Sequence, residues 1–206
     1  MSVRAVVFDI GNVLVEWRPE EFLDRYIGEA RRRAFLETVP IMHVNDEIDA
    51  GRDFDEALES LLATYPDWTD ALTAWRDRII ESIAPPLDHS VRLLRALRRA
   101  DVPVLALSNF GAKMFAVAQR EYPFLEEFDQ TYVSAHLELI KPDPAIYAHL
   151  EAQSGFAPAE LLFADDRQEN IETAAARGWN VHHFDRPQTL ADRLVSEGLL
   201  TEEAAQ

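Results

Sequence analysis

Polar side chains that could form a reactive site follow three predicted strands of this chain, each at the point where its strand ends. They are Asp9 after VVF, Ser108 and Asn109 after VLAL, and Asp165 and Asp166 after LLFA. Because the carboxyl ends of parallel strands lie at one edge of a sheet, we expect these side chains to meet in a single crevice. The set would combine three carboxylates with a hydroxyl and an amide.

Lys141 is the cationic member of the predicted set. It precedes Pro142, and the following Asp143 and Pro144 suit the N-cap and the first position of a helix. A carboxylate can attack phosphorus, but an anion then approaches an anion. Two like unit charges about 4 Å apart repel by roughly 4 kcal/mol at an effective dielectric near 20. Lys141 and a divalent cation held by carboxylates would offset this repulsion, so the residues favour a phosphate site with Mg²⁺.

Strands alternate with amphipathic helices over most of the chain, which predicts an α/β fold with a mostly parallel sheet. The predicted strands cover residues 3–8, 102–107, 131–134, 161–164 and 180–184. The predicted helices cover residues 88–99, 111–121, 144–153, 168–177 and 189–196. Ser108 then stands at the start of a helix, where a hydroxyl and free backbone N–H groups make an anion site.

The segment 16–84 interrupts this alternation with consecutive helices and no predicted strand. The helices are expected over residues 19–26, 29–39, 54–65 and 70–83. Asp53 and Glu56 have the spacing of a capping box at the third start. The chain is therefore predicted to divide into a core domain, residues 1–15 and 85–206, and a helical cap domain, residues 16–84, that lies above the crevice.

Composition and charge exclude several classes of partner and chemistry. The 206 residues include 20 Lys and Arg against 37 Asp and Glu, a formal net charge of −17, which disfavours nucleic acid and anionic membranes as partners. The chain has no cysteine, so disulfides and thiol chemistry are excluded. It shows neither a signal sequence nor an apolar run of the ~18 residues that a membrane span needs, and we expect a cytoplasmic monomer or homodimer.

The segments FDIGNVL, LALSNF, KPDPAIYAHL and LLFADDRQENIETAAARGW resemble the haloacid dehalogenase superfamily, in order and over nearly the full length. The chain is most similar to members with a small helical cap, such as bacterial sugar-1-phosphate phosphatases and the phosphatase half of soluble epoxide hydrolases. The resemblance implies a Rossmann-like parallel sheet flanked by helices, with an all-helical cap inserted after the first strand. It implies a Mg²⁺-dependent phosphatase that acts on a small phosphorylated metabolite, with sugar phosphates as one candidate, through an aspartyl-phosphate on Asp9.

The resemblance also implies a role for each residue of the four motifs. The catalytic residues would be Asp9, Ser108 and Lys141. The phosphate would contact Ser108, Asn109, Lys141, Gly11 and Asn12. The Mg²⁺ ligands would be Asp9, the Gly11 carbonyl, Asp166 directly, and Asp165 directly or through water. Asn170 is expected to orient Asp166 or its loop.

Gly11 departs from the phosphatase pattern of the superfamily. Most of these phosphatases carry an aspartate at this position, which protonates the leaving oxygen and then deprotonates the attacking water. Such help is worth roughly 10²–10⁴-fold. The sugar-1-phosphate subgroup tends to carry Gly-Asn here, so we still expect activity, with a good leaving group or another proton donor. The candidate donors are His43, Asp46 and Glu16. Glycine is also expected to serve a positive φ at position 11.

A 2-haloacid dehalogenase is the alternative function, because those relatives also lack this second aspartate and use the carboxylate nucleophile without metal. Arg18 or Arg52 would then bind the carboxylate of the haloacid. The acidic pair Asp165-Asp166 opposes this alternative, since dehalogenases have no cation to hold. A module that binds a phosphorylated ligand without catalysis is a third possibility. Trp17, in the cap, is a further candidate for substrate contact.

Overall fold

A parallel sheet of five strands forms the centre of the protein. The structure, a computed structural model, describes residues 2–206. The strands are β1 Ala5–Phe8, β2 Val15–Trp17, β3 Ile83–Pro86, β4 Val104–Ser108, β5 Gln130–Val133, β6 Leu161–Asp165 and β7 Asn180–His183. The sheet has the order β5-β4-β1-β6-β7 with all neighbours parallel, and β2 and β3 form a separate antiparallel pair. The predicted α/β fold is confirmed, and all five predicted strands belong to this sheet.

Helices precede or follow each strand of the sheet and fill the segment between β2 and β3. The first five are α1 Pro19–Ile27, α2 Glu29–Thr38, α3 Ile41–Asp49, α4 Phe54–Thr64 and α5 Thr69–Arg78. The others are α6 Asp88–Arg99, α7 Ala112–Glu121, α8 Ser134–Leu137, α9 Pro144–Ser154, α10 Gln168–Ala176 and α11 Pro187–Ser196. None of the helices found in residues 2–206 is long and apolar enough to cross a membrane.

The central strand β1 is apolar on both faces, as expected for a strand covered by helices on both sides. Val6 and Phe8 point into one hydrophobic cluster, to which α6, α7 and α11 contribute. Ala5 and Val7 point into a second cluster, to which α9 and α10 contribute. Full burial of each large apolar side chain stabilises the fold by roughly 1.5–3 kcal/mol. The strand that ends at the crevice is therefore fixed from both faces.

Helices α1 to α5 bury a third hydrophobic cluster of their own. Its largest fully buried side chains include Trp75, Phe22 and Phe35. Trp17 packs against both this cluster and the cluster beneath α6, and its ring meets Trp75 edge-on at 6.3 Å between centroids. This helical layer, inserted after β1, agrees with the predicted fold class, and we refer to it as the cap.

The cap differs from the sequence prediction in three elements. The pair of β2 and β3 lies at its two ends, where no strand is predicted, because Pro85-Pro86 indicates a turn and the pairing joins distant segments. The predicted helix 70–83 ends at Arg78, and a 3₁₀ turn over Ile79–Ser82 leads into β3. Helix α3 is absent from the prediction because it is short. The boundaries 15/16 and 84/85 fall within β2 and β3, and the division into two domains stays a prediction.

Candidate active site

Asp9 lies directly after β1, between the ends of β4 and β6. Its Oδ1 accepts hydrogen bonds from the backbone N–H of Ile10 and the hydroxyl of Ser108, both at 2.7 Å. The same oxygen lies 3.0 Å from Nζ of Lys141. Oδ2 has no hydrogen bond to any of residues 2–206. The contacts therefore fix the carboxylate through one oxygen and leave the other for a reaction or a ligand.

Lys141 is buried between two carboxylates at the centre of the site. Its Nζ donates to Oδ2 of Asp165 at 2.6 Å, in addition to its contact with Asp9. Asn109 fixes the backbone of this lysine, because its Oδ1 accepts from the Lys141 N–H at 2.8 Å and its Nδ2 donates to the Lys141 carbonyl at 2.9 Å. Burial lowers the pKa of Lys141, but Asp9 and Asp165 outweigh burial and raise the pKa above its ordinary value. The ammonium group therefore stays charged.

Asp165 is fully buried and uses both carboxylate oxygens within the protein. Oδ1 accepts from the backbone N–H of Arg167 at 2.8 Å and from Nδ2 of Asn170 at 2.9 Å. Oδ2 accepts from Lys141 and lies 3.0 Å from the same amide nitrogen of Asn170. Asn170 thus contacts Asp165, whereas the sequence predicts that it orients Asp166 or its loop. With these donors in place, Asp165 holds Lys141 against Asp9.

Asp166 is half-buried, and its carboxylate accepts fewer hydrogen bonds than that of Asp165. Its Oδ2 accepts from Nδ2 of Asn12 at 2.9 Å. Burial raises the pKa of Asp166, against the opposing effect of the Asn12 amide. Asn12 also accepts a hydrogen bond from the backbone N–H of Trp17 at 2.9 Å, so one side chain joins the acidic pair to the entrance of the cap.

Position 11 differs from the prediction in its backbone. Gly11 is not among the residues with positive φ; that conformation belongs to Asn12, with φ 55°. A Cβ built on Gly11 would meet no atom within 4 Å. The sequence predicts the positive φ at Gly11, one residue before the position where it occurs. Asparagine tolerates the left-handed region, so the backbone needs no glycine there.

The charges of the site fit a divalent cation. Asp9, Asp165 and Asp166 can each direct an oxygen to one place, with these atoms within 4.8 Å of one another. Three negative charges face the single positive charge of Lys141. Burial raises the pKa of Asp9 to about 7, because Lys141 and the Ser108 hydroxyl offset its cost only in part. A hard cation with oxygen ligands would supply the missing positive charge.

The amide oxygen of Asn170 is a further sign of a ligand or water near the site. It is buried and has no hydrogen-bond donor in the described chain, although the amide nitrogen of the same side chain donates to Asp165. Buried polar atoms almost always have a partner, so an orphaned oxygen beside a cavity indicates a water or ion. Asn170 borders the cavity described next.

A cavity of about 210 Å³ lies between the acidic cluster and the cap. The core side carries Asp9, Gly11, Asn12, Ser108, Asn109, Lys141 and Asp166. Most of the remaining wall is apolar and comprises Val15, Trp17, Met42, Ile48, Phe54, Ile79, Ile83, Phe110 and Met114. Asp165 lies behind the others and does not border the space. All other predicted core site residues are brought together at this cavity.

The cap residues named from the sequence divide into two groups. Trp17 and Asp46 border the cavity. Arg18, His43 and Arg52 do not: the side chain of His43 is 73% exposed beside Glu47, and Arg52 pairs with the same glutamate at 2.5 Å. Glu16 likewise lies outside the cavity wall. No arginine proposed for a haloacid carboxylate therefore reaches this space.

Asp49 is one of the cavity residues that the sequence prediction missed. It ends α3 and borders the cavity with its helical neighbour Asn45. The signal in the sequence is weak: Ile41, Val44 and Ile48 have helical spacing, and all three are buried. Because the helix is short and only three of its positions form the apolar face, with Pro40 before them, the sequence does not distinguish it from a loop.

Comparison with known proteins agrees with the fold and the order of the motifs. The family model described as haloacid dehalogenase-like hydrolase matches residues 3–178. A sesquiterpene phosphatase of Aspergillus oryzae is 26% identical over 86% of this chain and 87% of its own length. An (S)-2-haloacid dehalogenase of a Pseudomonas species is 28% identical over 65% of this chain and 60% of its own length.

A solved structure extends the likeness in fold. It is a variant of a haloacid dehalogenase family enzyme of Bacteroides thetaiotaomicron, in complex with magnesium and inorganic phosphate. It superposes with a TM-score of 0.72 and 17% identity over 89% of this chain and 95% of that one. The match of the family model over residues 3–178 shows that the protein belongs to the haloacid dehalogenase-like hydrolase family.

Proposed function

We propose that this hydrolase is a Mg²⁺-dependent phosphatase that acts on a small phosphorylated metabolite through an aspartyl-phosphate on Asp9. The observation that carries the proposal is the convergence of Asp9, Asp165 and Asp166 within 4.8 Å around a buried lysine. Three carboxylates would repel a phosphate dianion, so the cluster is useful only if a cation joins it. The cavity beside the cluster has room for a small substrate and is below the roughly 300–1,000 Å³ of drug-sized ligand pockets.

Asp9 is the proposed nucleophile, and its Oδ2 is the attacking atom. Ser108 and Lys141 hold Oδ1, so the free oxygen keeps a fixed direction as the phosphorus–oxygen bond forms. Lys141 and Ser108 also lie at the cavity, where they would contact the phosphoryl oxygens. Asn109 has its side chain engaged with the Lys141 backbone, so it would reach the phosphate through its N–H. Gly11 and Asn12 complete the proposed phosphate contacts.

The proposed ligands of Mg²⁺ are Asp9, Asp166 and the carbonyl of Gly11. Asp165 already accepts four hydrogen bonds from three donor groups, which supports an indirect contact with the cation through water for that residue. When bound, the cation would neutralise phosphoryl charge and so favour attack by an anion. A Bacteroides relative of the same fold was crystallised with magnesium and inorganic phosphate, which supports this choice of metal.

Dehalogenation of a 2-haloacid is the second candidate function. Gly11 and the Pseudomonas relative support it. The positions of Arg18 and Arg52 outside the cavity oppose it, because neither arginine expected to bind the haloacid carboxylate borders this space. The acidic cluster opposes it as well, since three carboxylates would repel an anionic substrate that brings no cation. The phosphatase of Aspergillus, similar over most of both chains, supports the first candidate.

A direct assay separates the two candidates. The purified protein is incubated with a panel of phosphate monoesters and with 2-chloropropionate, each with Mg²⁺ and with excess chelator. We expect phosphate release that requires Mg²⁺ and no chloride release. Chloride release in the presence of chelator, or full phosphatase activity without metal, would contradict the proposal.

A further inference from the structure

We infer that Asp49 of the cap is the general acid and base that Gly11 cannot provide. The inference rests on the proposed phosphatase activity and assigns its missing proton donor. Asp49 is the last residue of α3 and borders the same cavity as Asp9 from the opposite side. The donor candidates His43 and Glu16 do not reach this cavity.

Contacts from the core and from the cap hold Asp49 in place. The buried hydroxyl of Ser134, at the start of α8, donates to the Asp49 carbonyl at 2.5 Å and accepts from the N–H of Phe110 at 2.9 Å. Asn45 donates to Oδ2 of Asp49 at 3.2 Å. The backbone that follows Ser108 is thereby linked to the end of the cap helix. Asp49 keeps its place over the site as long as the cap is seated.

Gly111 allows this close seating. A Cβ built on Gly111 would lie 2.6 Å from Cγ2 of Ile48, the residue before Asp49, and 3.6 Å from Oδ1 of Asp49 itself. The φ of Gly111 is −65°, so the glycine serves the close approach of the cap and not an unusual backbone conformation. The core is thus built to receive the end of α3.

The environment of Asp49 suits a group that must carry a proton near neutral pH. Burial raises the pKa of Asp49 to about 7, the negative charges of Asp46 and Asp9 add to this shift, and the N–H of Gly111 opposes it. The carbonyl end of a helix also disfavours a negative charge. The other charged groups around the cavity are Lys141, Asp166 and Arg167. Asp46 borders the cavity too, but its side chain is exposed.

The proposed reaction balances in two steps. As Oδ2 of Asp9 bonds to phosphorus, the bond to the ester oxygen breaks, and the proton of Asp49 passes to that oxygen to release an alcohol. Asp49 is now a carboxylate, and Asp9 carries the phosphoryl group. Water then attacks phosphorus and gives one proton to Asp49, which restores Asp9 as a carboxylate and releases hydrogen phosphate.

Asp49→Asn tests the inference, with Glu47→Gln as a control on the same helix and outside the cavity. With n-butyl phosphate, whose alkoxide is a poor leaving group, we expect kcat/KM to fall by about 10²–10⁴-fold. With p-nitrophenyl phosphate, whose leaving group needs no proton, the first turnover should change little and appear as a burst before slow steady-state release. In ¹³C spectra of the wild type, a carboxyl titration near pH 7 should be present that Asp49→Asn removes.

Several outcomes would overturn this assignment. They are an equal loss with both esters, an unchanged rate with n-butyl phosphate, or the same selective loss in Asp46→Asn instead of Asp49→Asn. If the wild type hydrolyses neither ester, the proposed function and the role of Asp49 both fail. If it hydrolyses p-nitrophenyl phosphate and Asp49→Asn shows no selectivity, only the role of Asp49 fails.

The wall of the cavity carries an independent inference about the substrate. The geometry points to the monophosphate ester of a small apolar alcohol, within the proposed phosphatase function. Away from the acidic cluster, the polar groups on the cap side are Asn45, Asp46 and Asp49, and the other lining residues of the cap are apolar. Met42 lies at this wall and is 40% exposed. Among residues 2–206 it is the one large hydrophobic side chain that is exposed.

A sugar would fit this wall poorly. Each hydroxyl placed against apolar side chains loses its hydrogen bonds to water without replacement, which is unfavourable. An aliphatic or isoprenoid group instead gains from each methylene removed from water. The apolar wall therefore favours an apolar ester over the sugar phosphate that the resemblance implies.

A series of n-alkyl phosphates from ethyl to hexyl, with glucose 1-phosphate for comparison, tests this inference. We expect kcat/KM to rise by about fourfold per methylene. Met42→Ser should flatten this rise, and Leu62→Ser, on the cap outside the cavity, should leave it unchanged. A flat series, or glucose 1-phosphate as the best substrate, would overturn the inference while leaving the phosphatase function intact.

Discussion

The hydroxyl of Ser134 donates a hydrogen bond to the carbonyl of Asp49 and so connects the core to the cap at the edge of the candidate active site. The same oxygen accepts from the N–H of Phe110, so one buried atom satisfies a donor and an acceptor from two elements. We therefore expect this hydroxyl to contribute to stability.

Ser134→Ala should lower the free energy of unfolding by about 1–3 kcal/mol, because it leaves the buried N–H of Phe110 and the partly buried carbonyl of Asp49 without partners. Urea unfolding measures the change. Ser90→Ala is the matched control, since the Ser90 hydroxyl is equally buried but has no hydrogen-bond partner in the described chain. If Ser134→Ala and Ser90→Ala lower the free energy of unfolding equally, the hydrogen bonds of Ser134 do not contribute to stability.

Asp9→Asn should reduce turnover to background, because it keeps the shape of the side chain and removes the attacking charge. Steady-state phosphate release with p-nitrophenyl phosphate measures this loss. In the wild type, fluoroberyllate or aluminium fluoride should raise the midpoint of thermal unfolding only when Mg²⁺ is present, and Asp9→Asn should lose that protection. A variant that keeps more than a small residual rate would exclude the covalent mechanism.

The two adjacent aspartates should respond differently to substitution. Asp166→Asn should raise the concentration of Mg²⁺ needed to stabilise the protein, because it removes a proposed ligand. Asp165→Asn should destabilise the protein even without metal, by roughly 3–5 kcal/mol, because Lys141 loses a buried partner. Thermal unfolding across a Mg²⁺ titration separates the two effects. Identical behaviour of the variants would contradict the assignment of separate roles.

Gly11→Asp should restore acid–base help without strain, because φ at this position is ordinary and the space is open. In the Asp49→Asn background, it should recover much of the rate with n-butyl phosphate. Circular dichroism confirms the fold, and kinetics on both esters measure the recovery. Failure of the double variant, with the fold intact, would show that a carboxylate at position 11 cannot reach the leaving oxygen.

The pH dependence of stability should change in Asp49→Asn. The pKa of Asp49 is raised in the folded state, from 3.8 to about 7, so the folded protein holds this proton more tightly. The wild type should therefore lose stability relative to the variant as pH rises from about 4 to 7. Because Asp9 and Asp46 are present in both proteins, urea unfolding of the pair isolates Asp49. A constant difference across this range would show that the pKa of Asp49 is not raised.

The sheet and the polar residues at the ends of its strands could be predicted because their signals are local. Continuous apolar runs define β1, β4 and β6, and a polar residue ends each run, so the crevice follows from the topology of parallel strands. Their outer neighbours β5 and β7 were found from the same alternation with helices. The bounds of these strands differ from the prediction by one or two residues.

The face of the cap could not be predicted, because its placement depends on contacts between distant segments. Asp49 lies near Asp9 only because α3 seats on Gly111 and Ser134, which are far along the chain. His43 and Asp46 are candidate proton donors by residue type, but on their helix only Asp46 borders the cavity, and His43 does not. The positive φ was assigned to Gly11 by residue type as well, and it belongs to Asn12.

The contact between Ile48 and Gly111 restricts how this protein can diverge. A methyl group at position 111 would lie 2.6 Å from Cγ2 of Ile48, so a larger residue in the core requires a smaller one in the cap. Ile48→Ala should make Gly111→Ala tolerable, and the two substitutions together should cost less than the sum of their separate effects. Homologues that keep this cap geometry should therefore exchange side-chain volume between the two positions. We therefore expect two positions that lie 63 residues apart in the sequence to change together.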